Sequence, residues 1–277
     1  MTSSVVELWR SRNVLRFLVR RDLAIKYQQS VLGYLWSLIE PLMMGAIYWF
    51  VFGFLYGSSR TTPGGEGPPY IVYLMSGIFA FMWVTGVLSE ATGALTGQKA
   101  LITTMNVPRE VFPIGRVFAR FWEFAAGLPI LLLIVLILNA VSPPDQQAKF
   151  GWSLLAIPLA VLLQGIFLIG IALLLSSVNV MLRDVERFMR LVQRFIFYGT
   201  PIIYPLARVE ENLGTPGIWI YKSNPLVGIF ELHHAAWYPQ TFPSATLLTV
   251  CVTGCLVTFI LGWLVFRRLE PAVLKEL

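Results

Sequence analysis

Charged residues are scarce in this sequence. Asp, Glu, Lys and Arg together make up 13% of the 277 residues, whereas 56% are hydrophobic and the mean hydropathy is +0.69. A soluble domain of this size carries about 25% charged residues, so the deficit excludes the ordinary soluble class. Apolar runs long enough to cross a bilayer as helices recur along the chain. The sequence therefore predicts an all-α polytopic membrane protein.

Cysteine and histidine are also scarce, and their positions argue against a metal site. The two cysteines, Cys251 and Cys255, are four residues apart in an apolar run, which predicts small side chains at a helix–helix contact. The two histidines, His233 and His234, are adjacent, so they point to different sides of a helix, and no third ligand is near. We expect no metal ligand in this chain.

The sequence also lacks the patterns of catalytic and nucleotide-binding sites. It contains no nucleotide fingerprint and no credible Ser/His/Asp arrangement, so we predict no catalytic residue and no cofactor held by this chain. Charges in the apolar runs lie near the ends of those runs, and no internal repeat is evident, which argues against a carrier driven by an ion gradient. We expect a transporter permease rather than an enzyme, with no nucleic-acid partner.

The first 30 residues are a charged leader. They do not read as a cleavable signal, because the first apolar run starts only near Val31 and is too long for the apolar core of a signal. Arg12, Arg16 and Arg20 lie at i,i+4 spacing and form a basic stripe. Apolar residues fall roughly opposite: Val14, Phe17, Leu18 and Ile25. The pattern predicts a cytoplasmic amphipathic interface helix within 1–30; the alternative is a generic excess of positive charge on the cytoplasmic side.

Residues 31–277 are predicted to form the transmembrane domain. Six spans are expected, at about 32–56, 70–95, 111–139, 152–182, 190–207 and 244–266. The fifth is unusual, because its uncharged part, 195–207, has 13 residues, whereas a crossing needs about 20. This helix either takes length from its Arg190–Arg194 end, or breaks at Pro201 and Pro205 and re-enters the bilayer.

The distribution of basic residues predicts the orientation. Of the 21 Lys and Arg residues, 17 fall in the leader, in the connection around 96–120, in the elbow 183–194 and in the C-terminal tail. Four lie on the opposite side: Arg60, Lys149, Arg208 and Lys222. Short loops rich in Lys and Arg stay cytoplasmic. We therefore expect a multi-pass protein of the cytoplasmic (inner) membrane with both termini in the cytoplasm.

Two stretches resemble a known family. They are SSVNVMLRDVERFMRLVQRFIFYGTPIIYPLAR at 176–208 and YQQSVLGYLWSLIEPL at 27–42. Both are similar to the membrane subunit of ABC-2-type exporters, in particular the permeases that export lipid-linked polysaccharides such as O-antigen, capsule and wall teichoic acid. The resemblance covers nearly the whole chain. Among these permeases the chain is similar to the actinobacterial exporter of lipid-linked galactan, the precursor of cell-wall arabinogalactan.

The resemblance implies partners and further structure. It implies an ABC ATPase subunit in two copies, which carries ATP and Mg, a second copy of this chain in a homodimer, and a lipid-linked polysaccharide as cargo among the membrane lipids. It also implies that the leader touches the ATPase, and that re-entrant helices cap the periplasmic end of the pore before the last span, within 208–243.

Two segments are candidates for coupling to the ATPase. The resemblance places a coupling helix in the connection 96–110, and the charged elbow 183–194 faces the same side. The candidate residues are Lys99, Thr103, Asn106, Arg109, Arg183, Asp184 and Arg187. For Arg183 and Asp184 the alternative is a solvated capping pair.

Aromatic residues are the candidates for the channel lining. Their rings offer flat apolar surface to the C–H faces of a passing sugar without tight hydrogen bonds. The candidates are Tyr48, Trp49 and Tyr56 in the first span and Phe195, Tyr198 and Tyr204 in the fifth. The alternative is an aromatic belt at the membrane interface or lipid-facing bulk.

Two other functions compete with polysaccharide export. An ABC-2 exporter of a small lipophilic molecule or drug would share the fold and the ATPase partner. An integral membrane glycosyltransferase would need clustered acidic or histidine residues at a membrane face, and Glu210-Glu211 and His233-His234 are the only candidates.

Overall fold

The computed structural model describes residues 11–55, 67–104 and 107–276, and within these ranges it is helical without strands. We number the helices in chain order. They are α1 (Arg12–Tyr27), α2 (Trp36–Tyr48), α3 (Tyr70–Thr92), α4 (Lys99–Thr104), α5 (Val111–Val141), α6 (Ala156–Met181), α7 (Val185–Gly199), α8 (Leu206–Asn212), α9 (Thr215–Lys222), α10 (Pro225–Ala235) and α11 (Ala245–Glu276). A π-helical segment, Trp49–Leu55, continues α2.

Five helices in the described residues are long and apolar enough to cross a membrane, which confirms an all-α polytopic membrane protein. They are Gly33–Leu55, Tyr70–Thr92, Val111–Val141, Trp152–Met181 and Ala245–Val273. The predicted span 190–207 is not among them. Its helix, α7, covers Val185–Gly199, because Pro201 forces the chain at Thr200 into an extended conformation (φ −131°, ψ 158°) and the helix ends there.

Helix α3 is buried on nearly all sides and forms the centre of the described structure. Residues along its whole length belong to the main hydrophobic cluster, together with residues of α5, α6 and α10. Trp83 of α3 stacks on Phe124 of α5, with ring centroids 5.4 Å apart, and donates its indole N–H to the carbonyl of Val117 at 3.1 Å. Helices α2, α5, α6, α7 and α10 all pack against α3.

The most extensive helix pair is α6 with α11. The two backbones nearly touch where they cross, at Gly170 and Gly262. A Cβ atom added to Gly170 would lie 2.6 Å from the Cα of Phe259 and 2.6 Å from the carbonyl oxygen of Thr258. Only glycine allows this approach, as is common where membrane helices cross closely.

Helix α7 and the turn after it run antiparallel along α3. Gln193 of α7 hydrogen-bonds Ser89 near the end of α3 at 2.9 Å, and Phe197 contacts Phe81 in the middle. The chain after α7 then reaches the beginning of α3, where the hydroxyl of Tyr70 donates to the carbonyl of Ile203 at 2.7 Å. This short helix and the turn that follows it therefore span almost the full length of α3.

Helices α8, α9 and α10 connect the turn after α7 to the start of α11. The beginning of α10 packs against the interior of α11, where Pro225 contacts Gly254, nine residues and roughly 13 Å from the start of α11. Asn224 caps this end by accepting from the backbone N–H of Leu226 at 3.0 Å. After α10, Tyr238 contacts the carbonyl of Pro68, just before α3.

The two cysteines lie where α10 packs on α11, which confirms the expected helix–helix contact. Both are buried and free. A Cβ added to Gly228 of α10 would lie 2.6 Å from the Cβ of Cys251, and the thiol of Cys251 lies 3.4 Å from the carbonyl of Pro225. A larger side chain than cysteine has no room in this interface.

Candidate functional site

The basic stripe lies on the exposed side of α1. Arg12, Arg16 and Arg20 are all exposed, whereas Leu18 and Val19 on another side of α1 are buried. Leu18 belongs to a hydrophobic cluster that includes residues before α4, at the start of α5 and near the end of α11. The described part of the leader, from residue 11, therefore packs against the helices while its arginines remain accessible.

The end of α1 is joined to α3 and α5 by a network of charged side chains. Arg120 pairs with Glu123, three residues further along α5, and also with Glu90 of α3. Glu123 in turn accepts hydrogen bonds from Lys26 at 2.9 Å and from the hydroxyl of Tyr27 at 2.6 Å. Burial, and then the positive charge of Arg120, lower the pKa of Lys26 below its ordinary value.

A second group of charges extends this network toward the connection that follows α3. Asp22 of α1 accepts from Arg21 at 2.8 Å and pairs with Arg116 of α5 at 3.3 Å. Arg21 also donates to the side-chain oxygen of Gln98 at 2.6 Å. Lys26 and Glu123 are 97 residues apart in the chain, so no local spacing in the sequence could reveal these contacts.

The connection 96–110 presents a short exposed helix, α4. Its Ile102 is buried in the same cluster as Leu18, which fixes the orientation of the helix. Lys99 and Thr103 face outward, and the Thr103 hydroxyl donates to the carbonyl of Lys99 at 3.1 Å. Asn106 lies outside the described residues. Lys99 and Thr103 are thus accessible to a docking partner.

Arg109 occupies a different environment from Lys99. It is half-buried, and its Nη1 lies 4.0 Å from Glu270 near the end of α11. Its neighbour Glu110 is buried and lies 3.2 Å from Arg267, which also pairs with Glu270 at 3.5 Å. Arg109 is therefore part of an ion cluster that joins the start of α5 to the tail of α11.

The charged residues at the start of the elbow are open to the surroundings. Arg183, Asp184 and Arg187 are all exposed, and Arg187 lies 3.9 Å from Asp184 one turn away. Asp184 occupies the N-cap position of α7, but its side chain makes no capping hydrogen bond. Such an exposed pair contributes little to stability.

Three of the channel candidates lie together, one on α2, one on α7 and one in the turn after α7. The hydroxyl of Tyr48 is 3.5 Å from that of Tyr198, and Tyr204 donates to the backbone carbonyl of Tyr198 at 2.5 Å. Phe197 packs against Tyr48, with ring centroids 5.1 Å apart, and Tyr204 reaches the hydroxyl of Tyr221 at 3.5 Å. Neither Phe197 nor Tyr221 was among the predicted candidates.

The other channel candidates are placed differently. Trp49 and Phe195 are exposed, at 42% and 70%, and neither belongs to this group of tyrosines. Tyr56 lies outside the described residues. A run of aromatic residues in the sequence does not show which rings face one another and which face outward.

The residues considered for metal binding or catalysis have other partners. His233 bonds Gln164 at 2.8 Å, and His234 bonds both Ser76 at 2.8 Å and the carbonyl of Pro201 at 2.9 Å. Glu210 pairs with Lys222 at 2.5 Å. Among the described residues no group of three or more His, Cys, Asp or Glu could hold a metal ion.

Comparison with known proteins identifies similar chains. Residues 13–238 match the family described as ABC-2 type transporter. The chain is 27% identical to the O-antigen export system permease protein RfbA of Klebsiella pneumoniae, over 93% of this chain and 92% of that protein. It is 23% identical to RfbA of Myxococcus xanthus, over 95% and 94%, and 24% identical to the polysialic acid transport protein KpsM of Escherichia coli, over 92% and 93%.

Proposed function

Since the chain belongs to the ABC-2 type transporter family, we propose that it is the permease subunit of an ATP-driven exporter that carries a lipid-linked polysaccharide across the cytoplasmic membrane. The observation that carries this proposal is the similarity, over more than nine-tenths of each chain, to permeases named for O-antigen and polysialic acid export. The chain is a transporter permease and not an enzyme, and ATP hydrolysis belongs to a separate subunit in such systems.

The proposed assembly contains two copies of this permease and two ATPase subunits, with ATP and Mg²⁺ on the latter. Within the class of lipid-linked polysaccharides we propose a cell-wall galactan as the cargo, on the resemblance of the sequence to galactan exporters. Both termini lie in the cytoplasm, which the distribution of Lys and Arg supports.

In this proposal the chain crosses the membrane six times. Five crossings are the long apolar helices, and α7 with the turn after it makes the sixth. The antiparallel contacts of α7 with α3, from Ser89 to Tyr70, support this assignment. With only five crossings, the end of α11 would lie on the opposite side of the membrane from the start of α5. Arg267 near the end of α11 pairs with Glu110 at the start of α5, so both lie on the same side, which requires a sixth crossing between α6 and α11.

Helices α9 and α10 are proposed to re-enter the membrane from the periplasmic side. Their turn at Asn224 and Pro225 reaches Gly254, within the apolar part of α11. The buried side chains His233 and His234 hydrogen-bond Gln164 of α6 and Ser76 of α3. These contacts satisfy polar groups that would otherwise be costly inside a bilayer.

The proposed mechanism starts at the cytoplasmic surface. ATP closes the ATPase dimer, which moves α4 and the elbow 183–194 where they contact it, and α1 follows through its charged contacts with α5. The helices of the two permease copies then separate and open a channel. The tyrosine group around Tyr48 and Tyr198 supplies rings for the passing sugars.

Reconstituted transport tests the function. The chain and its ATPase subunit are placed in liposomes that contain a lipid-linked galactan on the outer face, with ATP added outside. We expect the glycan to become protected inside the liposomes when ATP is hydrolysed, but not with a non-hydrolysable analogue. ATP-driven movement of a lipophilic dye without any glycan movement would instead identify a drug exporter. Transport by the purified chain alone on an ion gradient would contradict the proposal.

A further inference from the structure

Three adjoining cavities lie alongside α1 and α2. The first, of about 510 Å³, lies between α1, α5 and the connection after α3. The second, of about 320 Å³, shares Lys26, Glu90, Arg120 and Glu123 with it. The third, of about 560 Å³, is a groove along α2 that shares Trp36 and Glu40 with the second. Neighbouring cavities adjoin through these shared residues, and we refer to the three together as the track.

The first cavity carries an excess of positive charge. Four cationic side chains line it: Arg21, Lys26, Arg116 and Arg120. Three carboxylates face them: Asp22, Glu90 and Glu123. The carboxylates hold the cations in place, and one positive charge remains without compensation inside a partly buried site, where its attraction for an anion is strong.

Arg116 has hydrogen-bond donors left for an anion. Its ion pairs with Asp22 at 3.3 Å and with Glu90 at 3.9 Å both use Nη1. A guanidinium has five N–H donors in a fixed plane, and two of them can bind a phosphate together. Arg116 therefore combines a fixed position with free binding capacity.

The far end of the track is apolar. Trp36, Ile39, Met43, Met44 and Ile47 line the groove on α2, and Met43 and Ile47 are each 58% exposed. From Trp36 to Ile47 the groove follows α2 for roughly 17 Å, which suits a hydrocarbon chain. Glu40 lies between the groove and the charged cavity, so a phosphate is disfavoured there and belongs in the first cavity.

We propose that this track binds the phosphate-linked lipid of the cargo, with the phosphate in the cavity at Arg116 and the hydrocarbon chain in the groove of α2. The inference rests on the proposed function, because it names the part of a lipid-linked glycan that the cytoplasmic side of the permease recognises. The charged lining at one end and the apolar lining at the other match a molecule that carries both an anionic group and a hydrocarbon chain. A free anion would match only the charged cavity, and a neutral lipid would match only the apolar groove.

Binding of a short prenyl diphosphate tests the site without ATP or transport. The full-length chain is placed in phosphatidylcholine nanodiscs, and the affinities for farnesyl diphosphate and inorganic pyrophosphate are measured by titration. We expect farnesyl diphosphate to bind more tightly, because it alone fills the groove. Arg116→Gln should weaken it by about tenfold or more, whereas Arg268→Gln, which removes an exposed arginine outside the track, should not.

Two further variants separate the two ends of the site and guard against misfolding of Arg116→Gln. Gly97→Trp puts a ring at the wall of the charged cavity, where a Cβ would meet no atom within 4 Å, and should weaken both ligands. Met43→Gln should weaken farnesyl diphosphate by roughly threefold and leave pyrophosphate unchanged. Leu133→Gln on α5, at a similar exposure of 56%, is its control and should change neither.

Several results would overturn the proposal. They are equal affinities for farnesyl diphosphate and pyrophosphate, equal losses for Arg116→Gln and Arg268→Gln, or normal binding by Gly97→Trp. Displacement by equimolar phosphatidylglycerol would identify a site for bulk anionic lipid instead. Each of these can occur while ATP-driven export in liposomes persists, so failure of this site is distinguishable from failure of the proposed function.

Discussion

At the scale of single residues, the proposed channel lining depends on the tyrosine group. Tyr48, Tyr198 and Tyr204 come from two separate segments and meet through hydroxyl and ring contacts. Tyr198 is 60% exposed, so one ring remains accessible while its neighbours fix its position. Such a pre-arranged aromatic surface can pass sugars without binding them tightly.

Removing these rings should slow export without stopping ATP hydrolysis. Loss of a ring contact worth about 1 kcal/mol corresponds to roughly fivefold in rate. We therefore expect Tyr48→Ala and Tyr198→Ala to slow glycan transport by about that factor in liposomes at unchanged ATPase activity. Tyr48→Phe should retain most transport. Phe118→Ala, at an exposed aromatic residue of α5, is the control. Wild-type transport rates in both Tyr48→Ala and Tyr198→Ala would contradict the proposed channel role of these tyrosines.

Residue contacts were predictable only where the chain brings them together locally. Arg120 and Glu123 pair at the i,i+3 spacing that brings side chains together on one side of a helix. The partners Glu90 and Lys26 are far away in the sequence, so their contacts depend on the packing of three helices. For the same reason Lys99 and Arg109, which share one connection, differ in burial.

At the scale of helices, the crossing of α6 and α11 depends on two glycines. The backbones approach so closely at Gly170 and Gly262 that a Cβ would meet backbone atoms, which cannot move aside as a side-chain end can. Apolar composition predicts that both helices are buried in membrane or protein. Composition does not reveal which glycines lie at a contact. Gly214, for example, lies in a loop, and a Cβ added there would meet no atom within 4 Å.

Enlarging Gly170 should destabilise the protein. Overpacking costs about 1–3 kcal/mol, and for a chain of this size each kcal/mol lowers the melting temperature by roughly 2–4 °C. We expect Gly170→Val to lower the unfolding temperature in detergent by about 5 °C, measured by scanning fluorimetry. Gly214→Ala should be close to wild type. Equal stability of the two variants would mean that α6 and α11 do not cross as described.

The spans differ in how far the sequence could define them. Four of the five long apolar helices begin and end within about three residues of the expected bounds, whereas α11 continues past the expected end at 266 to Glu276. The bounds of α7 were harder to predict, because its charged first half and Pro201 allowed two interpretations of the fifth span. It begins at Val185 and ends at Gly199, so it takes length from the charged end and also stops before the proline.

At the scale of the whole molecule, the orientation predicted from basic residues is open to a direct measurement. The buried Cys251 and Cys255 are replaced by alanine, and single cysteines are introduced at Arg268 and Gln147. In intact cells a membrane-impermeant maleimide should label Gln147→Cys, and should label Arg268→Cys only after permeabilisation. Blocking with the same reagent before lysis controls for leakage, and the opposite pattern would reverse the assignment of both termini.

The tail of α11 has a consequence for anyone who shortens or tags this protein. Arg267 is the counter-charge of the buried Glu110, and Glu270 lies beside both Arg267 and Arg109. A version that stops before Arg267 would keep every apolar helix, yet it would enclose a carboxylate with no compensation, at a cost of several kcal/mol. A purification handle should therefore be appended after the tail and should never replace it.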